Sequence, residues 1–330
     1  MAVLNQLKGG RRWLVMVAVS LLYWAFGFYP YQLPPYHNGA VHTANNTLRF
    51  DAPGIAYTRE PPAWLPTVIG SSLLRVILEV RSETHQKHRW ARILNLSRDS
   101  HHTNLSIGQN GSDLVVNVLS TEARHAGKIR TVIKEVFAQP GWHRIELNIL
   151  PRLLTVTADG REVLHQRLAI DPLSKWSPDY RLAFGNEFGF KRPWLGEIRK
   201  AIIFVPGERY DYTLPDVLEI PASYRLPLAN RYVRWIPFTD YRNGISTVAD
   251  NMLNLFGFIP FGIILAMTLH KPRSVWALGA ICGAMSLSIE AGQLFLAPRT
   301  PSMEDLLLNT LGGALGAWLG LKLRARSSHG

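Results

Sequence analysis

The sequence predicts an α-helical membrane bundle of four transmembrane helices, with an all-β antiparallel sandwich in the loop after the first helix. Three observations predict it. Residues 1–30 and 251–323 are mostly apolar. Residues 45–206 hold most of the charge and alternate polar with apolar side chains, the period of strands. Four apolar blocks each approach the roughly 20 residues needed to cross a bilayer core.

The first block, Trp13–Tyr29, has no charged residue and follows Lys8, Arg11 and Arg12. A cleaved signal peptide would need a short apolar region and small residues before the cut. Here the block runs on through Phe26, Phe28, Tyr29 and Tyr31 with no such site, so an uncleaved helix is expected. The other three are Asn251–Leu269, Ser274–Leu296 and Asp305–Leu323. His270, Lys271, Pro272 and Arg273 break the first pair, and the short loop Ala297–Met303 breaks the second. Basic residues orient such helices. Lys8, Arg11 and Arg12, then Lys271 and Arg273, then Lys322, Arg324 and Arg326 fall on one side if all four cross, leaving Arg299 on the other. Both termini are then cytoplasmic and residues 31–250 face out. The expected divisions are 1–30 (tail and first helix), 45–206 (sandwich), 207–249 (linker), 250–323 (three-helix core) and 324–330 (cytoplasmic tail).

Within 45–206, Leu74, Val76, Leu78 and Val80 alternate with Arg75, Glu79 and Arg81. Ile145, Leu147 and Ile149 alternate with Arg144, Glu146 and Asn148. Asn110-Gly111 and Asp159-Gly160 are hairpin-turn pairs. The only cysteine, Cys282, lies in an apolar block, which excludes an intrachain disulfide and a cysteine metal site. The sandwich must therefore hold by its core alone. Residues 207–249 contain Pro215, Pro221, Pro227 and Pro237, which exclude a long helix. Tyr232, Trp235 and Phe238 with Arg231, Arg234 and Arg242 suit a membrane interface.

The formal net charge is +12, but no nucleic-acid module appears, so a basic solvated surface is expected and nucleic acid is not a partner. A glycosidase needs two carboxylates about 5–9.5 Å apart. Glu79, Glu83, Glu146 and Glu197 read instead as isolated solvated positions. Trp176, Tyr180 and Trp194 could stack on sugar rings or fill the core. His101-His102 reads as an exposed loop pair rather than a metal site, and neither metal nor cofactor is expected.

The strongest functional signal lies in the last three helices. Gly279, Gly283, Ser286, Glu290 and Gln293 share one helical stripe, and Asp305, Asn309, Gly312 or Gly313, Gly316 and Gly320 share another. Small residues at these spacings let helices approach closely. The topology puts Asn251, Asn254, Glu290, Gln293, Asp305 and Asn309 in the outer leaflet, with Arg299 above them. Intramembrane ionisable groups usually face the bundle interior and pair. The cluster could be a binding or catalytic pocket, with Glu290 the candidate acid or base. It could also be structural: Ser302-x-x-Asp305 is a capping-box-like start, and Glu290–Arg299 an ion pair.

Two resemblances add to this. Gly141–Leu147, Leu154–Thr157, Asp159-Gly160, Leu182–Glu187 and Trp194–Ile198 resemble the central and closing strands of concanavalin A-like, laminin-G-like jelly rolls. That implies fold but not function, because such sandwiches serve lectins, hydrolases and adhesion modules alike. Asn254–Gly262, Ser288–Gln293 and Arg299–Gly313, with Arg234–Phe238 upstream, resemble the VanZ-like family of bacterial membrane proteins. This resemblance implies an envelope protein of a family tied to low-level glycopeptide resistance. Three functions compete. The first is a binder of an envelope glycan or glycolipid, in contact with membrane lipid. The second is a membrane-embedded enzyme in which Arg299 would hold a phosphate or carboxylate. The third is a transporter, which would require a homo-oligomer.

Overall fold

The computed structural model describes residues 9–29, 33–82, 90–120, 128–238, 245–269, 274–296 and 299–327. Two compact units emerge. One is Pro34–Arg231; the other joins Met1–Leu33 to Tyr232–Gly330.

The first unit is an all-β antiparallel sandwich. Its strands are β1 (Tyr36–His37), β2 (Ala40–His42), β3 (Leu48–Phe50), β4 (Ala56–Tyr57), β5 (Leu74–Ser82), β6 (Ala91–Ser97), β7 (Thr103–Asn110) and β8 (Asp113–Leu119). The remainder are β9 (Lys128–Ile133), β10 (Trp142–Leu150), β11 (Leu153–Ala158), β12 (Arg161–Arg167), β13 (Arg181–Phe184), β14 (Gly196–Val205), β15 (Glu208–Asp211) and β16 (Ser223–Tyr224). One sheet runs β12-β11-β10-β5-β14-β3-β2, with β15 beside β14; the other runs β4-β13-β6-β7-β8-β9. β1 pairs with β16.

The period-two pattern sets the register. Ile145, Leu147 and Ile149 of β10 lie opposite Leu78, Val76 and Leu74 of β5, and all six are buried. Trp64, Trp194, Phe50 and Phe184 fill the space between the sheets. Asp159 (φ 49°) and Gly160 (φ 80°) both adopt positive φ, as a tight β11–β12 hairpin needs.

This unit reaches beyond 45–206 at both ends. β15 extends the β14 edge, and Ser223–Tyr224 pairs with Tyr36–His37. Tyr57 exchanges backbone hydrogen bonds with Glu219 at 3.0 and 2.8 Å. Part of the segment expected to be a linker is thus sandwich. Its prolines interrupt helices but not short edge strands.

The second unit contains helices α1 (Gly9–Phe28), α3 (Ile245–Gly257), α4 (Ile259–Thr268), α5 (Val275–Gln293) and α6 (Met303–Ser327); α2 (Leu65–Ser71) belongs to the sandwich. Three spans are long and apolar enough to cross a membrane by length and composition: Val248–Thr268, Val275–Gln293 and Met303–Arg326. The apolar part of α1, Arg12–Phe28, is shorter. The span expected as one helix over Asn251–Leu269 breaks between Gly257 and Ile259, where Pro260 opens α4.

Glycines set the packing. An added Cβ at Gly312, Gly316 or Gly320 would meet the carbonyl oxygens of Leu255 at 1.9 Å, Ile259 at 2.1 Å and Ile263 at 2.9 Å. The offset is a constant 57 residues, so α6 lies parallel to α3 and α4 at backbone contact. On the α5 side, Cβ atoms at Gly279 and Gly283 would meet Ala314 and Thr310, an antiparallel register.

Candidate functional site

The polar residues predicted for the bundle are brought together in part, and most are consumed there. Glu290, buried near the end of α5, accepts the Ser302 backbone N–H at 2.8 Å through Oε2. Ser302 in turn caps α6: its Oγ accepts from the Glu304 and Asp305 amides at 3.2 and 3.4 Å. The Ser302 half of the Ser302-x-x-Asp305 capping reading is therefore present, while the Ser302 amide goes to Glu290 rather than back to the Asp305 side chain. Asn309 donates to Ser286 Oγ at 2.9 Å, joining α6 to α5. Gln293 Nε2 and Arg299 Nη2 both donate to the Gly27 carbonyl, at 2.9 and 3.1 Å. Positive charge at a helix C-terminus is favourable, as Arg299 supplies; Gln293, the last residue of α5, and Arg299, in the loop that follows, fasten the end of α1.

Arg234–Phe238 is fastened in the same way. Arg234 N–H donates to Pro301 O, and Met303 N–H donates to Arg234 O, both at 2.9 Å. Phe238 N–H donates to Glu304 Oε2 at 3.2 Å. Glu304 and the Gly27 carbonyl were not singled out in the sequence, and Ser286 appeared there only as a member of the α5 stripe. The helical spacing of Ser286 below Glu290 was the only sign of its role.

Asp305, Asn251 and Asn254 behave differently. Each is half-buried, and among the described residues none has a side-chain hydrogen bond or an ion pair closer than 4 Å. The α3–α6 offset puts Asn251 level with Leu308, one turn from Asp305.

The sandwich corrects several expectations. Trp194 is fully buried, with Nε1 donating to Gln109 Oε1 at 2.9 Å. Trp176 is buried too and donates to the Leu119 carbonyl. Neither offers a face to a sugar, because their rings complete the core. Tyr180 packs against that core.

Glu79 is not an isolated solvated acid. It is nearly buried and held by Lys200 at 2.7 Å, Arg199 at 2.9 Å and Arg144 at 3.1 Å. Burial pushes its carboxyl up, but the Lys200 and Arg199 hydrogen bonds and charges outweigh this and hold it below the usual range. Glu146 pairs with Arg75 and Arg144, and Glu197 pairs with Arg81. Glu83 lies outside the described residues. Around His101-His102, buried Asp99 accepts both backbone amides at 2.8 Å and His102 Nδ1 at 2.7 Å. The pair closes a turn, and no cluster of metal-ligating residues occurs among the described residues.

Sequence reasoning also missed a polar row across the six-stranded sheet. Asn95, Ser106, Asn117 and Arg130 are register partners on successive strands. Arg130 Nε donates to Asn117 Oδ1, and Asn117 Nδ2 to Ser106 Oγ, both at 3.0 Å. Alternation of polar residues in 92–117 was its signal.

A charged antiparallel sandwich and an apolar glycine-packed bundle in one chain define the class: a two-unit protein with helices that could span a membrane. Residues 212–324 match the VanZ/LLP1 family model. The match takes in Arg234–Phe238 and all of Asn254–Gly313, the residues on which the VanZ-like resemblance rests. No curated protein matches the chain.

Solved structures similar to it include the CBM40 of the Ruminococcus gnavus IT-sialidase bound to α2,3 sialyllactose. It shares 9% identity, covering 45% of this chain and 84% of that one, with a TM-score of 0.37. Domains LG4-5 of the mouse laminin α1 chain share 16% identity, covering 59% and 48%, with a TM-score of 0.35.

Proposed function

We propose that the protein is a multi-pass protein of the bacterial plasma membrane that binds a cell-envelope glycan or glycolipid. In this reading four helices cross the bilayer, both termini face the cytoplasm, and the sandwich stands outside. The Lys/Arg distribution supports that orientation.

The observation that carries the proposal is the division of labour within the polar cluster. Glu290, Gln293, Ser302 and Asn309 hold the bundle together, whereas the side chains of Asp305, Asn251 and Asn254 make no hydrogen bond among the described residues. Half-buried polar groups at one depth of an apolar bundle suit a polar headgroup. Binding is favoured over catalysis because the Glu290 carboxylate is already engaged by Ser302 and sits away from bulk water.

Native mass spectrometry of the full chain, incubated in mild detergent with an envelope lipid extract, tests the idea. Sugar-bearing lipid adducts should form and fall at least about tenfold in the Asp305→Asn, Asn251→Ala double variant. Unchanged adducts in that variant, or equal adducts with sugar-free lipids, would refute it. Reporter fusions at Gly127 and His270 should report opposite sides of the membrane; the same side would refute the topology.

A further inference from the structure

A pocket of about 300 Å³ opens on the sandwich, lined by Tyr57, Arg181, Pro221, Ser223, Tyr224, Arg225 and Pro227. Three strands build it: β4 brings Tyr57, β13 brings Arg181 and β16 brings Ser223 and Tyr224. All of its lining belongs to the Pro34–Arg231 unit. Its volume is at the lower end for small-molecule sites, which suits one or two rings rather than a long chain.

The walls are rigid and aromatic. Tyr36, Phe190 and Tyr224 form a stack with centroid separations of 5.4 and 5.2 Å. Tyr224 Oη donates to the Phe188 carbonyl at 2.8 Å, which locks the ring. Tyr57 meets Tyr224 edge-on at 6.0 Å. Pro221 and Pro227 make a rim with little conformational freedom.

The charges are unbalanced. The Arg181 guanidinium lies 4.4 Å from the Phe188 ring centroid and 5.7 Å from that of Tyr57, and it donates to Asn230 Oδ1 at 3.4 Å. Among the described residues it has no carboxylate partner within 4 Å, and neither has exposed Arg225. The nearby acids are occupied. Glu219 pairs with Arg59 at 2.5 Å, and buried Glu187 accepts the Gly189 and Lys191 amides at 2.7 and 3.0 Å. Two arginines without acidic partners among the described residues, beside the half-buried Tyr57 ring and the Ser223 hydroxyl, offer an anion clamp and an aromatic wall together.

We propose that this pocket binds a sugar ring bearing a negative charge, carboxylate or phosphate, with Arg181 and Arg225 holding the anion and half-buried Tyr57, backed by buried Tyr224, walling the ring. The proposal rests on the reading of the protein as a glycan binder and names the ligand class for its sandwich. Arg181 is held in place by its ring contacts, so the anion meets a preorganised group. Arg225, exposed at the rim, adds charge without a packing role.

Isothermal titration of the detergent-solubilised full chain with glucuronic acid, glucose 1-phosphate, glucose and inorganic phosphate tests this. At least one acidic sugar should bind, and glucose should not. Arg225→Gln should weaken binding about tenfold, as expected for loss of one charge-assisted contact. Arg181→Gln should weaken it further. Because Arg181 also packs on Phe188, Arg225→Gln is the decisive variant, and its thermal melting should match the parent.

Four outcomes overturn the proposal. Glucose could bind as well as glucuronic acid. Inorganic phosphate could bind as well as the sugar phosphate, leaving a plain anion site. Acidic sugars could bind with affinity unmoved by Arg225→Gln, or none of the acidic sugars could bind. The two readings fail separately. Loss of the pocket leaves the lipid adducts at Asp305 and Asn251 untouched, and loss of those adducts leaves sugar titration on the sandwich untouched.

Discussion

Truncating Glu290 should loosen the loop between α5 and α6, and the size of the effect follows from one hydrogen bond. Glu290 is 7% exposed and Ser302 4% exposed, and the Glu290 carboxylate accepts the Ser302 N–H at 2.8 Å. In Glu290→Ala that amide is buried with no acceptor, which costs about 1–3 kcal/mol. The same amide precedes the Ser302 cap of α6. The strain therefore falls where the helix begins, near Arg299 and its contact with Gly27. Glu290→Gln keeps an acceptor oxygen in the same place, so its cost should stay below about 1 kcal/mol. Thermal unfolding in detergent, read by cysteine labelling of buried Cys282 on α5, separates the two. Glu290→Ala should lower the midpoint by several degrees, at about 2–4 °C per kcal/mol, with Glu290→Gln close to the parent. If Glu290→Gln melts as low as Glu290→Ala, charge rather than an acceptor atom matters and the argument fails. If both melt like the parent but lose lipid binding, Glu290 belongs to the binding site after all.

Other predictions follow from packing and charge. Gly316→Ala places a methyl 2.1 Å from the Ile259 carbonyl oxygen and should cost about 1–3 kcal/mol, whereas Gly257→Ala meets nothing within 4 Å and should be silent in the same melt. Glu79→Gln should destabilise the sandwich by about 1–2 kcal/mol at pH 7, discounted because its cationic partners are 36–48% exposed. Since the folded Glu79 carboxyl is held below its ordinary value, its contribution is present above about pH 4.3 and lost as pH falls through the folded value. The gap between parent and variant in urea melts should therefore close in acid; a gap that widened would reverse the sign. Expressed alone, residues 34–231 should melt cooperatively as a β protein, at least about 5 °C above residues 45–206. The shorter fragment loses Tyr212, whose hydroxyl accepts from buried Trp64 Nε1 at 2.7 Å, and the Tyr36–Tyr224 pairing; equal midpoints would show these contacts idle.

What the sequence revealed depends on the range of the interaction. Alternation in Leu74–Val80 and Ile145–Ile149 is a local consequence of the pleat, so both strands and the faces they bury could be read directly. The Ser302 cap lies within three residues of its amides, and the glycine stripes repeat every four, so these too were legible. Partners distant in sequence were not. Glu79 looks solvated among its neighbours Arg75 and Arg81, yet three cations from β10 and β14 close over it. Trp176 and Trp194 have the composition of a sugar platform, and only the stacking of the two sheets shows that they fill the interior. Glu290 and Arg299 looked like an ion pair because they are close along the chain. The fold instead gives Glu290 a backbone amide and turns Arg299 to the Gly27 carbonyl, 272 residues away. That choice has a physical reason. Two backbone groups, the Gly27 carbonyl and the Ser302 amide, would otherwise lose these partners in an apolar bundle, and leaving a buried backbone group unsatisfied costs about 1–3 kcal/mol. The cluster thus spends Glu290, Gln293, Arg299 and Asn309 on the frame, and this is why the proposed ligand contacts fall to Asp305, Asn251 and Asn254.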